Sequence, residues 1–478
     1  MVKITDLAAR MLGRTIHPID AGAVEAEIIP EGSTRATGAF TTSWDLPQGT
    51  EVLPEYEFIK AAIEEGDPQP IFVTGEAGTG KSTLIHWLVK NLGECALVAP
   101  TAIAASNIHG STLHSFFGLP PRHIDIDDEL SAPAKNRVVM ENMTCLVIDE
   151  ISMVPPNLID VIDHMLRKIR DPELPFGGVH VVMVGDLYQL PPVVKGKELE
   201  VYFTHRYKSP FFFSADVFKE KGAEFIPLVL SRVRRQKDEG LIKALSAIRS
   251  GIDFRESLGY FNRTCYRDRD SALASELNLV PTNRQATNIN TARLNSIPGE
   301  EWVFDAEVTG NIQADDWKLL VPSKLRLKIG AKVIFLNNQA EWINGDLGEV
   351  VGFGDSAIRV RKLSTDNVVS VPLHSWQKYE YSYSYEEKRI TQSSVASFQQ
   401  YPLNLGWAMT IHKSQGMTLD SYSIDLGTGA FGEGQVYVAL SRAKSIESIK
   451  LEQPIKMTDV KVHPVVQEFY GRLIDIGD

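Results

Sequence analysis

The chain has 478 residues, ordinary hydrophobic and charged content (43% and 23%) and a net charge of −12 at pH 7. That length exceeds what one core supports and predicts two to four domains. The acidic balance excludes a protein coated in basic surface for indiscriminate nucleic-acid binding, so any such site must rest on particular residues.

No apolar run approaches the ~20 residues of a membrane helix, and the N-terminus lacks a signal-peptide pattern. Cys95, Cys145 and Cys265 are far apart and read as reduced thiols, with no zinc-ligand spacing. Residues 1–50 are irregular and read as an appendage with no function assigned by the sequence. From about residue 51, apolar strands alternate with helical segments, the pattern of a parallel α/β sheet. Strands are expected at 71–73, 96–98, 146–148 and 181–184, and a helix at 82–92. A first domain is read over 51–204 and a second over 205–300 and 403–478. Between them, 301–402 changes texture: short strands at 325–328 and 332–335, with turns at Asn344-Gly345-Asp346 and Gly354-Asp355, predict a β-rich insertion. The alternating tyrosines at 379–385 fit a half-buried strand better than a stack for bases.

Gly75-Glu76-Ala77-Gly78-Thr79-Gly80-Lys81-Ser82 matches G-x-x-x-x-G-K-[ST] between a strand and a helix. Gly75, Gly78, Thr79, Gly80, Lys81, Ser82 and Thr83 are therefore the nucleotide-binding candidates. Backbone N–H groups of such a loop wrap phosphates, Lys81 reaches the β- and γ-phosphates, and the Ser82 hydroxyl ligates Mg²⁺. The strand 146–148 ends in Asp149-Glu150, which assigns Asp149 to the metal and Glu150 to the attacking water. Gln189 follows the fourth strand, placed to touch both the γ-phosphate and the acidic pair. The implied cofactors are ATP and Mg²⁺.

Several long segments resemble motifs of superfamily-one helicases of the petite-integration-frequency (PIF) and RecD-like group. They are the P-loop, Asp149-Glu150-Ile151-Ser152-Met153, and Gly185-Asp186-Leu187-Tyr188-Gln189-Leu190-Pro191-Pro192. Residues 99–105 with 111–117, 407–419 and 434–442 resemble further motifs in the expected order, together covering about 51–460. The resemblance implies an α/β fold of two tandem RecA-like P-loop domains, a small wedge insertion (about 107–141) and an SH3-like β-barrel insertion. It implies ATP-dependent 5′→3′ movement on single-stranded DNA with duplex unwinding. A translocase subunit of a recombination-repair complex and an RNA helicase stay open as alternatives.

The resemblance makes Arg235 and Arg442 arginine fingers and Gln435 a further γ-phosphate contact. It places Thr101, Thr112, His114 and Phe116 on one half of a DNA track and Thr410, His412, Lys413 and Ser414 on the other. Phe116 is divided between stacking and core, whereas Phe117 is assigned to the core. Expected partners are single-stranded DNA and duplex junctions, with a monomer as the working unit and, in a bacterial cell, a cytoplasmic, nucleoid-associated location. The family's Gln or Asn about 20 residues before the P-loop is missing. Tyr56 is the candidate to stack on the base instead, which leaves adenine selectivity open. Gly406, where members often carry Ala, is a milder departure.

Overall fold

The computed structural model describes residues 52–475, apart from 67–68, 93, 121, 127, 129, 195, 221–222, 234, 237, 267–276, 311–320, 338 and 385–388. The appendage expected at 1–50 lies outside the described residues, as do the side chains of Tyr379, Tyr381 and Tyr383. Their strand is present, His374–Ser384 pairing antiparallel with Arg389–Gln400.

Six parallel strands form the first sheet, in the order Ser111–Thr112, Cys95–Ala99, Cys145–Ile148, His180–Gly185, Ile71–Gly75, Ile226–Leu230. Because side chains alternate along a strand, successive residues enter different cores. Phe72, Val98, Leu146, Ile148 and Met183 lie in one, and Val73, Leu97, Val147, Val182 and Val184 in the other. Both faces are therefore covered, which explains the uninterrupted apolar runs.

The second sheet has four parallel strands, Ala408–Thr410, Leu277–Val280, Tyr422–Ile424 and Ile449–Leu451. The helices Glu239–Ser250 and Gln435–Leu440 share its core. Inserted within the second sheet, between its strands Leu277–Val280 and Ala408–Thr410, lies a five-stranded antiparallel sheet, Val368–Pro372, Ala357–Lys362, Leu347–Phe353, Lys332–Phe335 and Leu403–Leu405. The two predicted turns fall at its hairpins, with Gly345 at φ +101 and the Gly354 N–H donating to the Ala357 carbonyl.

Three expected boundaries shift. Ile226–Leu230 pairs with Ile71–Gly75, so the first unit extends past residue 204. Its Pro227 is tolerated because this is an edge strand of the sheet. Leu403–Leu405 closes the antiparallel sheet, so the second parallel sheet resumes at Ala408. Finally, the helix Pro464–Asp475 returns to the first unit, burying Val466 and Tyr470 in its core.

Candidate functional site

The loop after Ile71–Gly75 turns through Gly78 (φ +84) and Gly80 (φ +98) into the helix Lys81–Asn91, whose Leu84, Ile85 and Leu88 anchor it in the core. A side chain at Gly78 would place its Cβ 2.5 Å from the Arg235 Cβ, so glycine permits both the left-handed turn and the approach of that arginine. Lys81 Nζ donates to the Gly75 and Glu76 carbonyls at 2.7 and 3.0 Å. Thr79 is buried and donates to the Glu76 carbonyl at 3.0 Å. Ser82 is exposed and Thr83 partly so. Burial lowers the Lys81 pKa despite the nearby carboxylates of Asp186 and Glu150.

Asp149 and Glu150 leave the end of Cys145–Ile148 beside the P-loop helix, and Glu150 takes a left-handed backbone, φ +48. Strain of this kind in a residue bearing a side chain collects at functional sites. Burial, followed by the Glu150 charge, raises Asp149 to about 7, and burial also raises Glu150. Two adjacent, half-buried carboxylates are a donor set that fits a divalent cation, with the Ser82 hydroxyl as a further oxygen donor. Gln189 Nε2 donates to Asp186 at 3.3 Å, while Gln415 Nε2 reaches both Gln189 Oε1 (3.3 Å) and Glu150 Oε2 (2.9 Å).

The second unit supplies the opposite wall. The Ala77 N–H of the P-loop donates to the Tyr437 hydroxyl at 3.0 Å. Arg235, on the segment joining Ile226–Leu230 to Glu239–Ser250, donates to the Ser441 carbonyl at 3.1 Å. Arg442 is 1% exposed and turned inward, donating to the carbonyls of Val438, Ser414 and Met417 and to Ser441 Oγ. Burial, with Arg235 second, lowers it to about 10. Gln435 accepts from the Phe431 and Gly432 N–H groups, while its buried Nε2 has no hydrogen-bond partner among the described residues.

The track candidates divide. Thr101 and Thr112 cap the helices Ala102–Asn107 and Leu113–Phe117 from the ends of neighbouring strands. Each hydroxyl oxygen accepts a backbone N–H, which keeps its proton for donation outward. His114 and Lys413 are partly exposed and His412 is exposed. Phe116 is a correction: it is 1% exposed and packs edge-on against Phe117 in the core, which leaves its ring no open face. Ser414 is fully buried with its hydroxyl on the Ile411 carbonyl, and Thr410 is buried too, its Oγ1 accepting from the Lys413 N–H. Tyr56 is another correction. It is buried against Trp87, and its hydroxyl donates to the Gly80 carbonyl at 3.0 Å, so it braces the P-loop from beneath and offers no face to a base.

Sequence reasoning missed Gln415, Arg249 and Phe431. Phe431 is 60% exposed, with its ring 12° from parallel to His412 and centroids 6.4 Å apart.

A PIF1-like helicase family model matches residues 53–218, and a second model, described as Helicase, matches 382–468. The human ATP-dependent DNA helicase PIF1 is 34% identical, covering 94% of this chain and 68% of the human protein. ATP-dependent DNA helicase Pif1 of Bdellovibrio bacteriovorus is 33% identical over 84% of this chain and 88% of its own. The chain belongs to the PIF1-like helicase family. Other PIF1-like relatives are longer: the chain spans 63% of the Emericella nidulans protein.

Among solved PIF1-like structures, Bacteroides sp Pif1 in complex with ADP-AlF4 matches with 32% identity and a TM-score of 0.80, covering 89% of this chain and 98% of that one. The Bacteroides Pif1 bound to ssDNA matches over the same extent (90% and 98%) at 0.64. The complex with both ADP-AlF3 and ssDNA also scores 0.64. Unliganded Bacteroides sp Pif1 matches at 0.78, so among these Bacteroides structures the ones holding DNA score lower. These likenesses make the fold mixed α/β with RecA-like parallel sheets.

Proposed function

We propose that this chain is an ATP-dependent DNA helicase that moves 5′→3′ on single-stranded DNA and unwinds duplex ahead of it. The observation that carries the reading is convergence. The P-loop, the Asp149–Glu150 pair and Gln189 on the first parallel sheet meet Gln415, Tyr437, Arg235 and the Arg442 helix end at the second. A nucleotide held there touches both units, so its binding and loss are felt as motion between them.

In this reading the P-loop amides and Lys81 hold the phosphates, with Lys81 released from the loop's own carbonyls. Ser82 and Asp149 hold Mg²⁺, which when bound supplies charge neutralisation at the β- and γ-phosphates. Glu150 accepts a proton from the attacking water, Gln189 and Gln435 report on the γ-phosphate, and Arg235 and Arg442 neutralise charge developing during transfer. Arg442 must swing out of its present carbonyl contacts to do so. Thr101, Thr112, His114, His412 and Lys413 grip the strand through phosphate contacts and stacking. The helix Ala134–Asn142 lies against His374–Ser384, which brings the expected wedge beside the β-rich insertion, the candidate SH3-like barrel. That pairing supports duplex separation at this end of the molecule. Single-stranded DNA and duplex junctions are the partners and a monomer is the working unit.

The test is ATP-dependent unwinding of matched duplexes carrying a 5′ or a 3′ single-stranded tail, with Lys81→Ala as control. Unwinding from the 5′ tail alone supports the reading. Unwinding from the 3′ tail alone keeps the motor and removes the polarity, and full ATPase activity in Lys81→Ala removes the site.

A further inference from the structure

Arg249 belongs to no motif described above, yet its guanidinium enters the first unit. It sits on Glu239–Ser250, whose Leu241, Ala244, Leu245 and Ile248 pack into the core of the second sheet. Its Nε and Nη2 donate to the two oxygens of Asp186 at 3.1 and 2.9 Å. Asp186 is fully buried just after the first-sheet strand His180–Gly185. The guanidinium carbon also lies 4.6 Å from the Tyr188 ring centre and 5.4 Å from that of Tyr470, two rings that stack on each other at 4.6 Å. Tyr470, on the returning C-terminal helix, in turn bonds Thr74 Oγ1 at 2.6 Å, one residue before the P-loop begins.

A buried ion pair is a poor device for stability, because desolvation offsets most of the Coulomb gain. What it supplies here is orientation. Burial pushes the Asp186 carboxyl up, but Arg249 and Lys81 outweigh it and leave the group below the usual carboxylate range. An ionised carboxylate only accepts hydrogen bonds, so the Gln189 amide must turn its nitrogen towards Asp186 and its oxygen towards Gln415. Gln415 Nε2 donates onward to Glu150, another acceptor. With a carboxylate at each end, this one arrangement of the two amides satisfies every contact.

We propose that Arg249 is a positioning residue for ATP hydrolysis, setting the Gln189 amide through Asp186 when the second unit is seated on the first. This rests on the ATPase reading of Glu150 and Gln189. Asp186, Gln189 and Glu150 belong to the first unit, whereas Arg249 and Gln415 come from the second. Separating the units therefore breaks the chain of contacts at both the ion pair and the Gln415 bridge, and hydrolysis is confined to the closed arrangement.

The test compares Arg249→Met, Arg249→Lys, Asp186→Asn and the Asp186→Asn/Arg249→Met double variant with the wild type. It measures single-strand-stimulated kcat per folded molecule, KM for ATP and Tm. Arg249→Met should lower kcat by about tenfold to hundredfold, the scale of a misaligned reacting group, with KM within about twofold of the wild type because nucleotide binding itself is untouched. Arg249→Lys should restore part of kcat. The double variant should lose no more kcat than the worse single one, since non-additivity marks action through a shared partner. Its Tm should exceed that of Arg249→Met, which strands a buried charge.

Additive losses in kcat, or unchanged kcat in Arg249→Met beside an active wild type, would overturn the positioning role. A wild type without ATPase activity would overturn the functional reading and this role with it.

Discussion

Gln415 Nε2 lies 2.9 Å from Glu150 Oε2, joining the loop after Ala408–Thr410 to the acidic end of Cys145–Ile148. In the proposed reading Glu150 accepts a proton from water, a task that gains from holding the carboxylate in one rotamer, and the holder comes from the other sheet. Replacing Gln415 with Ala should lower the DNA-stimulated kcat on the order of tenfold, a fraction of what a general base supplies. Nucleotide affinity should be unchanged. Steady-state ATPase rates combined with fluorescent-nucleotide titration read both quantities, and an equal loss of affinity would assign Gln415 to binding.

Tyr56 makes a complementary case at the opposite side of the P-loop. Because its ring is buried and its hydroxyl serves the Gly80 carbonyl, Tyr56→Phe should cost about 1 kcal/mol of stability, the worth of a typical hydrogen bond. The ratio of ATP to GTP hydrolysis should stay the same. Thermal unfolding and an NTP panel check it, and a changed base preference would return Tyr56 to the base.

Much of the site was legible because it is local. The P-loop, its strand and helix, and the acidic pair at a strand end each occupy a few consecutive residues whose spacing carries the chemistry. The strands of the first sheet were readable from apolar runs, because both faces are covered. What escaped depends on tertiary placement. Ile226–Leu230 carries a proline and an exposed Val229, features that an edge strand tolerates and that argue against a strand when read alone. Phe116 and Phe117 look alike in sequence, and only the fold places both inward. Arg249 and Gln415 matter through partners 63 and 265 residues away, which no local pattern records.

His86, on the P-loop helix, gives the fold a pH dependence. Burial lowers its pKa from 6.5 to about 4. Between those values the unfolded chain binds more protons than the folded one. The contribution is therefore fully present above about pH 6.5, is lost as pH falls towards 4, and is constant below. Partial solvent contact reduces the full shift to on the order of 2 kcal/mol. His86→Gln should narrow the Tm difference between pH 7 and pH 5 relative to wild type. An identical Tm profile would show that His86 titrates normally in the folded protein.

Phe431 carries the last prediction. A large apolar ring that is 60% exposed gains little from its own fold, so truncating it should leave Tm unchanged. It lies nearly parallel to His412, a track candidate that is also exposed. The protein enclosing one side of its ring lowers the His412 pKa by desolvation, which favours the neutral imidazole. Two adjacent, nearly parallel π faces suit a nucleobase and are indifferent to its identity, as a translocase requires. Phe431→Ala should therefore weaken single-stranded DNA binding by roughly 1–3 kcal/mol, the worth of one stacked base. Because stacking is insensitive to ionic strength, the slope of log affinity against log salt should not change. Fluorescence anisotropy with a labelled oligonucleotide at several salt concentrations measures both. Unaltered affinity would remove Phe431 from the track, and a changed salt slope would mean that the substitution disturbs phosphate contacts such as those expected of Lys413.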